Sequence, residues 1–380
     1  MTEKHYMDFN ATAPIRPEVV QAVIGAFRSV GNPSSVHAFG RASRQLVEDA
    51  RRSVARLVGT RSQDVIFTSG GTEANNLALA GSGRRRVLMT AGEHDSILQA
   101  APDAERITLK PDGMVDLEAL THVLSTVNEP ALLSIMLANN ETGVIQPVPE
   151  AVAIARRYGA AVHCDAVQAA GKIPVDLAAL GVDMLTLSAH KIGGPQGVGA
   201  LVLAPGFEIS PLLRGGGQER RRRAGTENVA GCAGFGVAAE LAAEHEVTAR
   251  GLSEWRDAIE RRILELSPKS RIFGREAGRL PNTICVTMPD VPAETQVMAL
   301  DLAGVAVSSG SACSSGKVQP SHVLRAMGAS REEAASAIRV SLGWSSRAED
   351  VEAFLDAWAA LYHRRAGGTP GAPQKTSSVA

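Results

Sequence analysis

A single lysine stands in a glycine-rich loop near the middle of the chain. Lys191 lies in the run S-A-H-K-I-G-G-P-Q-G-V-G-A, between the apolar segments 184–187 and 198–203. Asp165 directly follows a third apolar segment, residues 161–164. An amine and a carboxylate at neighbouring strand ends suit pyridoxal phosphate (PLP), because the lysine binds the cofactor and the aspartate keeps its pyridine nitrogen protonated. This pair alone also allows a surface lysine and a helix-capping aspartate.

The run S-G-G-T-E has the features of a phosphate site. Gly71 and Thr72 follow a predicted strand, residues 65–68, and precede a predicted helix, residues 74–80. Backbone N–H groups at a helix start can bind phosphate, and the hydroxyl of Thr72 adds a donor. A Gly-Gly turn with a capping threonine is also a common structural device. The patterns G-x-x-x-x-G-K-[ST] and G-x-G-x-x-G do not occur, which argues against a nucleotide ligand.

Two histidines and a serine lie near these motifs. Ser188 and His190 flank the lysine and could supply further phosphate contacts. His94 follows the apolar segment 87–90, where an imidazole could stack on a planar cofactor and move protons near neutral pH. A loop histidine with only local hydrogen bonds is the alternative for His94.

Two amides and an arginine are candidates for contacts with a cofactor or substrate. Asn140 follows the apolar segment 132–137, and Gln168 comes three residues after the aspartate. Either amide could donate to the cofactor's phenolic oxygen or to a substrate carboxylate, although polar turn residues are an equally simple explanation. Arg339 interrupts the apolar segment 338–342. A buried guanidinium needs a carboxylate, which the substrate or a structural Asp or Glu would provide.

One cysteine differs from the other three in its surroundings. Cys313 lies in S-S-G-S-A-C-S-S-G-K, whose small residues predict a flexible, exposed loop with an accessible thiol. Cys164, Cys232 and Cys285 lie in apolar or helical segments and are interpreted as small buried hydrophobic residues. No C-x-x-C pair occurs, so neither a zinc site nor a disulfide framework is indicated.

Short apolar strands alternate with helices from residue 64 onward, which favours an α/β fold with a largely parallel sheet covered on both faces. After Pro268 the pattern changes to that of a smaller α+β domain. We therefore expect a large domain over residues 15–250 and a small domain formed by residues 1–14 and 251–365, which carries the Cys313 loop. Residues 366–380 have the composition of a disordered tail.

Composition excludes several classes of function. The chain of 380 residues is 44% hydrophobic and 21% charged, with a net charge of −1, so attraction to nucleic acid or to an anionic membrane is not expected. The N-terminus is polar and no apolar run could cross a bilayer, which predicts a cytoplasmic protein. The basic run 218–228 could contact nucleic acid. It fits better as a loop that presents Thr226 and an arginine to a phosphate or a neighbouring subunit.

The motifs together resemble those of the cysteine desulfurases of the NifS/IscS group, within the class V aminotransferase-like, fold-type I PLP enzymes. S-G-G-T-E-A-N-N, N-N-E-T-G, H-C-D-A-V-Q, S-A-H-K-I-G-G-P-Q-G, R-A-G-T-E-N and S-S-G-S-A-C-S-S occur in the family's order. The resemblance implies a mainly parallel seven-stranded sheet sandwiched by helices, with a smaller α+β domain. It also implies a homodimer and removal of sulfur from L-cysteine to give L-alanine.

The resemblance also assigns roles to individual residues. The expected catalytic residues are Cys313, Lys191 and His94, with Cys313 as the nucleophile that becomes a persulfide. Lys191 carries PLP, Asp165 pairs with the pyridine nitrogen, His94 stacks on the ring and Gln168 touches the phenolic oxygen. The remaining roles are phosphate binding by Gly71, Thr72, Ser188, His190 and, from the second subunit, Thr226, and binding of the substrate carboxylate by Asn140 and Arg339.

The expected partner is an iron–sulfur scaffold protein that accepts the sulfur. No metal is expected in the catalytic mechanism, although Cys313 could ligate a transferred iron–sulfur cluster. The low-complexity sequence after residue 365, where housekeeping members have a longer docking segment, favours the nitrogen-fixation NifS type. The alternatives are a selenocysteine lyase, a class V aminotransferase, and a catalytically silent partner-binding protein.

Overall fold

A seven-stranded sheet forms the larger part of the molecule. The structure is a computed structural model that describes residues 4–127, 129–244, 249–310 and 320–365. In the order β2-β8-β7-β6-β5-β3-β4, the strands of the sheet are β2 (Val65–Thr68), β8 (Gly199–Leu203), β7 (Met184–Ser188), β6 (Ala161–Asp165), β5 (Ala131–Met136), β3 (Arg86–Thr90) and β4 (Glu105–Ile107). β8 runs antiparallel to the other six strands of this sheet, which are parallel to one another. The predicted fold class is confirmed.

Helices cover both faces of this sheet, as its apolar strands require. They are α1 (Pro17–Phe27), α2 (Ala38–Leu57), α3 (Gly71–Gly81), α4 (Asp95–Leu98), α5 (Leu117–Thr126), α6 (Val148–Arg157), α7 (Leu177–Leu180) and α8 (Val229–Glu244). Leu77 of α3 and Ile97 of α4 pack on one face. Val54 of α2, Leu120 of α5 and Phe235 of α8 pack on the other. Every residue of β5, β6, β7 and β8 is therefore buried.

A second, smaller core includes the beginning of the chain. Its elements are β1 (His5–Tyr6), α9 (Ala249–Leu266), β9 (Thr283–Thr287), α10 (Ala293–Leu302), β10 (Val305–Ala306), β11 (Ser308–Ser309), α11 (His322–Ala326), α12 (Arg331–Ser336), β12 (Ala337–Ser341) and α13 (Ala348–Arg365). β12 lies between β11 and β9, while β1 pairs with β10. Met7, Ile338, Phe354 and Trp358 are buried together there. The first strand thus packs with residues that lie three hundred positions later.

The parallel strands end at a common edge of the large sheet. β3 is followed by His94, β5 by Asn140, and β6 and β7 end at Asp165 and Ser188. The helix predicted over residues 74–80 begins earlier, at Gly71, so the S-G-G-T run forms its first turn. This edge therefore collects the polar residues that follow the strands.

Candidate active site

A cavity of about 620 Å³ lies at this edge, between the large sheet and the smaller core. It brings together ten of the predicted site residues, which are Gly71, Thr72, His94, Asn140, Asp165, Gln168, Ser188, His190, Lys191 and Arg339. Ser308, Ser309 and Gly310 line its mouth. Cys313 lies outside the described residues. Thr226 is exposed and is not among the described residues that line the cavity.

Lys191 is half-buried, with its amine among backbone carbonyl groups. Its Nζ donates to the carbonyl oxygens of Asn10 and Ala11, at 2.6 and 2.8 Å. Burial, and secondly the charge of Arg339, lower the pKa of Lys191 to about 8, although Asp165 acts in the opposite direction. A substantial fraction of this amine is therefore a free nucleophilic base near neutral pH.

Asp165 is buried at the end of β6, with both carboxylate oxygens hydrogen-bonded. Oδ2 accepts from Nδ2 of Asn75 at 2.8 Å, and Oδ1 accepts from the backbone N–H of Val167 at 2.9 Å. These donors stabilise the ionised carboxylate and hold it at the cavity wall. Asn75 is a site residue that sequence reasoning missed, and its signal was its position on α3, one turn after the phosphate motif.

The first turn of α3 lies beside Ser188 and His190. The first intrahelical hydrogen bond runs from Ala74 N–H to Gly70 O. The backbone N–H groups of Gly71 and Thr72 precede it and therefore have no acceptor within the helix. A Cβ atom added at Gly71 would lie 3.1 Å from Val167 Cγ2 and 3.5 Å from Ser188 Cβ, so only glycine leaves this space open. The turn is a small concave surface lined by N–H and O–H donors.

His190 adds an imidazole N–H to the donors at the first turn of α3. Its Nδ1 lies 3.1 Å from Thr12 Oγ1, which leaves Nε2 for another partner. Burial, with the neighbouring Lys191 charge, lowers the pKa of His190 to about 4. The ring is therefore neutral at pH 7 and can donate one hydrogen bond without adding a charge.

His94 presents an imidazole to the cavity. It is the N-cap residue of α4, where Nδ1 accepts from the backbone N–H of Ser96 at 3.1 Å. The residue is exposed and lines the cavity. A fixed ring with a free face is suited to stacking on a planar group.

Arg339 is buried and has one unpartnered nitrogen. Its Nη2 donates to Asp8 Oδ1 at 2.7 Å and its Nη1 donates to the carbonyl oxygen of Asn140 at 3.1 Å. The Nε is buried with no hydrogen-bond partner among the described residues. Sequence analysis allowed a structural Asp or Glu partner for Arg339 without identifying it, and the structure shows that this partner is Asp8.

Asn10 connects both cores to the site. Its side-chain Nδ2 donates to Thr283 Oγ1 at 2.9 Å, and its backbone N–H donates to Ser341 Oγ at 3.0 Å. Its carbonyl oxygen accepts from Gln168 Nε2 at 2.9 Å and from Lys191. Sequence analysis did not assign Asn10 a role. The backbone of residues 10 and 11 therefore holds the amine of Lys191.

Two buried carboxyl groups adjoin the cavity and were also missed. Glu93 Oε1 accepts from Thr90 Oγ1 at 2.6 Å, whereas its Oε2 has no described partner. Burial raises the pKa of Glu93 to about 8. Glu141 accepts from Ser321 Oγ at 2.5 Å, and burial raises its pKa to about 7. At pH 7 Glu93 is therefore mostly protonated and Glu141 is near its titration midpoint, so both add less negative charge to the site than ordinary glutamates.

The three described cysteines are buried. Burial raises the thiol pKa of Cys164, Cys232 and Cys285. A buried thiol with a raised pKa is a poor nucleophile. Among the described cysteines none is placed to reach a substrate.

The residues of the cavity fit PLP. The donor-lined turn at Gly71 suits a phosphate dianion, and the ionised Asp165 suits a protonated pyridine nitrogen. The amine of Lys191, with its lowered pKa, suits covalent attachment to an aldehyde. Within the described ranges no group of three metal-ligating side chains occurs and no helix is long and apolar enough to cross a membrane.

Comparison with known sequences identifies a family. A model described as "Aminotransferase class-V" matches residues 5–354. The chain is 44% identical over 369 residues to a cysteine desulfurase of Cereibacter sphaeroides, a match covering 93% of this chain and 94% of that one. It is 42% identical over 371 residues to the cysteine desulfurase IscS of Dictyoglomus turgidum, covering 94% of each chain.

Solved structures share the fold. A NifS-like protein from Rickettsia africae superposes with a TM-score of 0.88 at 38% identity, covering 95% of this chain and 99% of that one. A structure described as SspA in complex with cysteine superposes with a TM-score of 0.76 at 28% identity, covering 89% and 98%.

Proposed function

We infer that this chain, which belongs to the class-V aminotransferase family, is a PLP-dependent cysteine desulfurase. The family expected from the motifs is confirmed by the family match and by relatives 44% and 42% identical. The observation that carries the assignment is the single cavity that holds Lys191, Asp165 and Arg339. In the proposed reaction, L-cysteine becomes L-alanine and its sulfur remains on Cys313 as a persulfide.

PLP supplies, when bound, an electron-withdrawing ring that stabilises negative charge on an amino acid's α-carbon. Lys191 is proposed to bind the cofactor covalently, with Asp165 at its pyridine nitrogen, His94 on its ring and Gln168 at its phenolic oxygen. The proposed phosphate ligands are Gly71, Thr72, Ser188, His190 and, from a second subunit, Thr226. The support for these roles is the donor-lined turn at the start of α3 and the fixed carboxylate on β6.

Arg339 and Asn140 are proposed to bind the substrate carboxylate. Arg339 lines the cavity, and its contacts with Asp8 and with the carbonyl oxygen of Asn140 fix the guanidinium there, so it can attract a carboxylate while these contacts stay intact. Asp8 offsets part of the guanidinium charge, and Ser308 Oγ donates to its other oxygen at 2.6 Å. This arrangement favours a monoanionic amino acid.

Lys191 is proposed to move the proton at the substrate's α-carbon. Because its pKa is lowered to about 8, the neutral amine is available as a general base near physiological pH. His94 lies at the same cavity with an exposed imidazole and can hold a proton nearby. Together they deliver the proton that the alanine product needs.

Cys313 is proposed as the sulfur acceptor. Its thiolate attacks the substrate sulfur, so an S–S bond forms as the C–S bond breaks, and the released carbon takes up a proton. L-Cysteine and one enzyme thiol thus give L-alanine and one enzyme persulfide, with no external oxidant or reductant. The other three cysteines are buried with raised pKa values, which supports Cys313 as the nucleophile.

The test is to incubate the PLP-loaded protein with L-cysteine and a thiol reductant. We expect alanine and sulfide in equal amounts and, without reductant, a trapped persulfide on the peptide that contains Cys313. Cys313→Ser should abolish sulfide release without changing the bound cofactor's absorption. Cys232→Ala, which removes a buried thiol, is the matched control and should retain activity. Wild-type sulfide release by Cys313→Ser would contradict the assignment.

The sulfur acceptor is proposed to be an iron–sulfur scaffold protein in the cytoplasm, and the nitrogen-fixation type is the favoured subtype. The support is the motif resemblance described above, together with the NifS-like structural neighbour. Transfer of ³⁵S from the labelled enzyme to a nitrogen-fixation scaffold and to a housekeeping scaffold would test this. Faster transfer to the housekeeping scaffold would overturn the subtype.

A further inference from the structure

A second lysine lies directly behind the catalytic cavity. Lys172 Nζ donates to Gln168 Oε1 at 2.7 Å and to Asn10 Oδ1 at 3.0 Å. Lys172 is not among the described residues that line the main cavity, whereas Gln168 and Asn10 are. It therefore acts on the site through these two side chains and not by touching a ligand.

The surroundings of Lys172 do not require it to be charged. Burial, and then the charges of Lys191 and Arg339, hold the pKa of Lys172 well below its usual value. A neutral amine still has two N–H groups, and the structure shows two carbonyl acceptors for them. The lysine can thus serve as a donor without adding a third positive charge to the site.

The contact with Lys172 determines which end of the Gln168 amide faces which partner. Gln168 is buried, its Oε1 accepts from Lys172 and its Nε2 donates to the carbonyl oxygen of Asn10 at 2.9 Å. Rotating the amide by 180° would place Oε1 against that carbonyl oxygen and Nε2 against the lysine amine. Both hydrogen bonds would be lost in a buried position, where an unmade bond is costly. Asn10 O also accepts from Lys191, so the oriented NH₂ group lies next to the catalytic amine.

We propose that Lys172 is a positioning residue that locks the Gln168 amide with its NH₂ group toward the cofactor side of the cavity. The inference rests on the proposed function, in which Gln168 donates to the cofactor's phenolic oxygen. A donor there stabilises the negative charge on that oxygen, so the bound cofactor holds its proton less tightly. The lysine thereby sets the proton affinity of a cofactor that it does not touch.

A double-mutant cycle tests this with Lys172→Met, Gln168→Met and the double variant, all loaded with PLP. The readouts are the dissociation constant of PLP and the pH midpoint of the cofactor's visible absorption band. We expect Lys172→Met to weaken PLP binding about tenfold and to raise the midpoint by about 0.5–1 pH unit. In the Gln168→Met background, the same substitution should change binding less than about twofold and leave the midpoint within about 0.2 unit.

Equal effects of Lys172→Met in both backgrounds, or no effect in either, would overturn the proposal. Lys172→Gln keeps a neutral N–H donor and should recover part of both changes, which a purely steric role would not predict. Thr283→Val is the matched buried control, because Thr283 contacts Asn10 from the smaller core. A midpoint shift in Thr283→Val equal to that of Lys172→Met would show that the effect passes through Asn10, against the proposal. Circular dichroism should show that each variant folds.

These readouts do not need desulfurase activity. If the effects of Lys172→Met and Gln168→Met are additive in a protein that still forms alanine and sulfide, the proposed role of Lys172 is wrong and the proposed function stands. If the effects of the two substitutions are coupled as expected in a protein that forms no sulfide, the proposed function is wrong and the role of Lys172 stands.

Discussion

Asp165 and Lys191 lie at the same edge of the sheet with different kinds of partner. The carboxylate of Asp165 accepts from a side-chain amide and a backbone N–H, which fix its ionised form. Among the described residues, the amine of Lys191 donates to backbone carbonyl oxygens, which compensate for its charge incompletely. Asp165 therefore presents a hydrogen-bonded carboxylate to the cavity, while the lowered pKa of Lys191 keeps its amine close to its titration point.

Asp165→Asn should lower the rate of alanine formation at least about 100-fold, because a neutral amide cannot keep the pyridine nitrogen protonated. PLP should remain bound, since its other proposed contacts are unchanged. Asn75→Ala is the matched control. It removes the hydrogen bonds to Asp165 and Ser96 but keeps the carboxylate of Asp165, so a smaller loss of about tenfold is expected. Steady-state kinetics with absorption spectra checks both. Equal losses in the two variants would contradict the proposed role of the charge.

Glu93 makes stability depend on pH. Its folded-state pKa of about 8 lies above the value in the unfolded chain, so the folded protein binds the extra proton. This contribution to stability is present below about pH 4.5 and is lost as pH rises toward 8. The glutamine of Glu93→Gln does not titrate, so only the wild type loses this contribution as the pH rises. The difference in melting temperature, variant minus wild type, should therefore increase by several degrees between pH 5 and pH 8.5. Differential scanning calorimetry across this range measures it, and parallel curves would count against the raised pKa.

At the scale of the element, the first turn of α3 lies very close to the strands β7 and β8. Gly199, at the start of β8, faces the backbone of this turn, and a Cβ there would lie 2.6 Å from the carbonyl carbon of Gly70. Gly71 leaves open the space beside Ser188. Gly71 and Gly199 therefore allow the backbone N–H groups of this turn to lie close to the hydroxyl of Ser188.

Gly71→Ala should separate cofactor binding from helix stability. Alanine reduces the conformational entropy of the unfolded chain by about 0.4–1 kcal/mol, which offsets the tight contact with Val167, so the melting temperature of the cofactor-free protein should change little. The added methyl group lies 3.1 Å from Val167 Cγ2 and narrows the phosphate turn, so PLP affinity should fall about tenfold or more. Gly251→Ala, at a helical glycine with open space around it, should leave PLP affinity unchanged. Titration calorimetry measures the affinities, and equal values for the two variants would exclude the steric effect.

At the scale of the molecule, the site forms where the two cores meet, and four apolar residues that are close in sequence remain exposed. Phe27, Val30, Val36 and Phe39 are exposed by 75%, 76%, 86% and 65% respectively. A surface that exposes several such residues is typical of an interface. It supports the proposed homodimer, in which a second copy buries this surface and presents Thr226.

Phe39→Asp should dissociate the proposed dimer, because a charge would be buried in an apolar interface. Light scattering should give twice the chain mass of 39.8 kDa for the wild type and the single chain mass for the variant. PLP affinity should fall with dissociation if Thr226 reaches the partner's site. Leu302→Asp, which changes an apolar residue with 84% exposure on α10, should leave the dimer intact. A wild-type protein of single chain mass would contradict the dimer.

Local sequence patterns were sufficient for six of the seven strands of the large sheet and for the edge where its polar residues collect. The strand over residues 65–68 matches the structure, and β5, β6 and β7 differ from their predicted bounds by one residue at either end. β4 was missed because Glu105 and Arg106 are exposed and only Ile107 is buried, so this edge strand carries no apolar pattern. An apolar run predicts a strand wherever the segment is buried on both faces.

The sequence by itself determined the family, the α/β fold and the residues that follow each strand, because apolar periodicity and motifs are properties of neighbouring residues. Only the tertiary structure decided that Asn75 holds Asp165, that Asp8 pairs with Arg339, and that Lys172 orients Gln168. Asp8 and Arg339 lie 331 positions apart, and no local pattern reports on such a pair. The pKa values near 8 of Lys191 and Glu93 likewise arise from burial, which depends on how distant segments pack around each group.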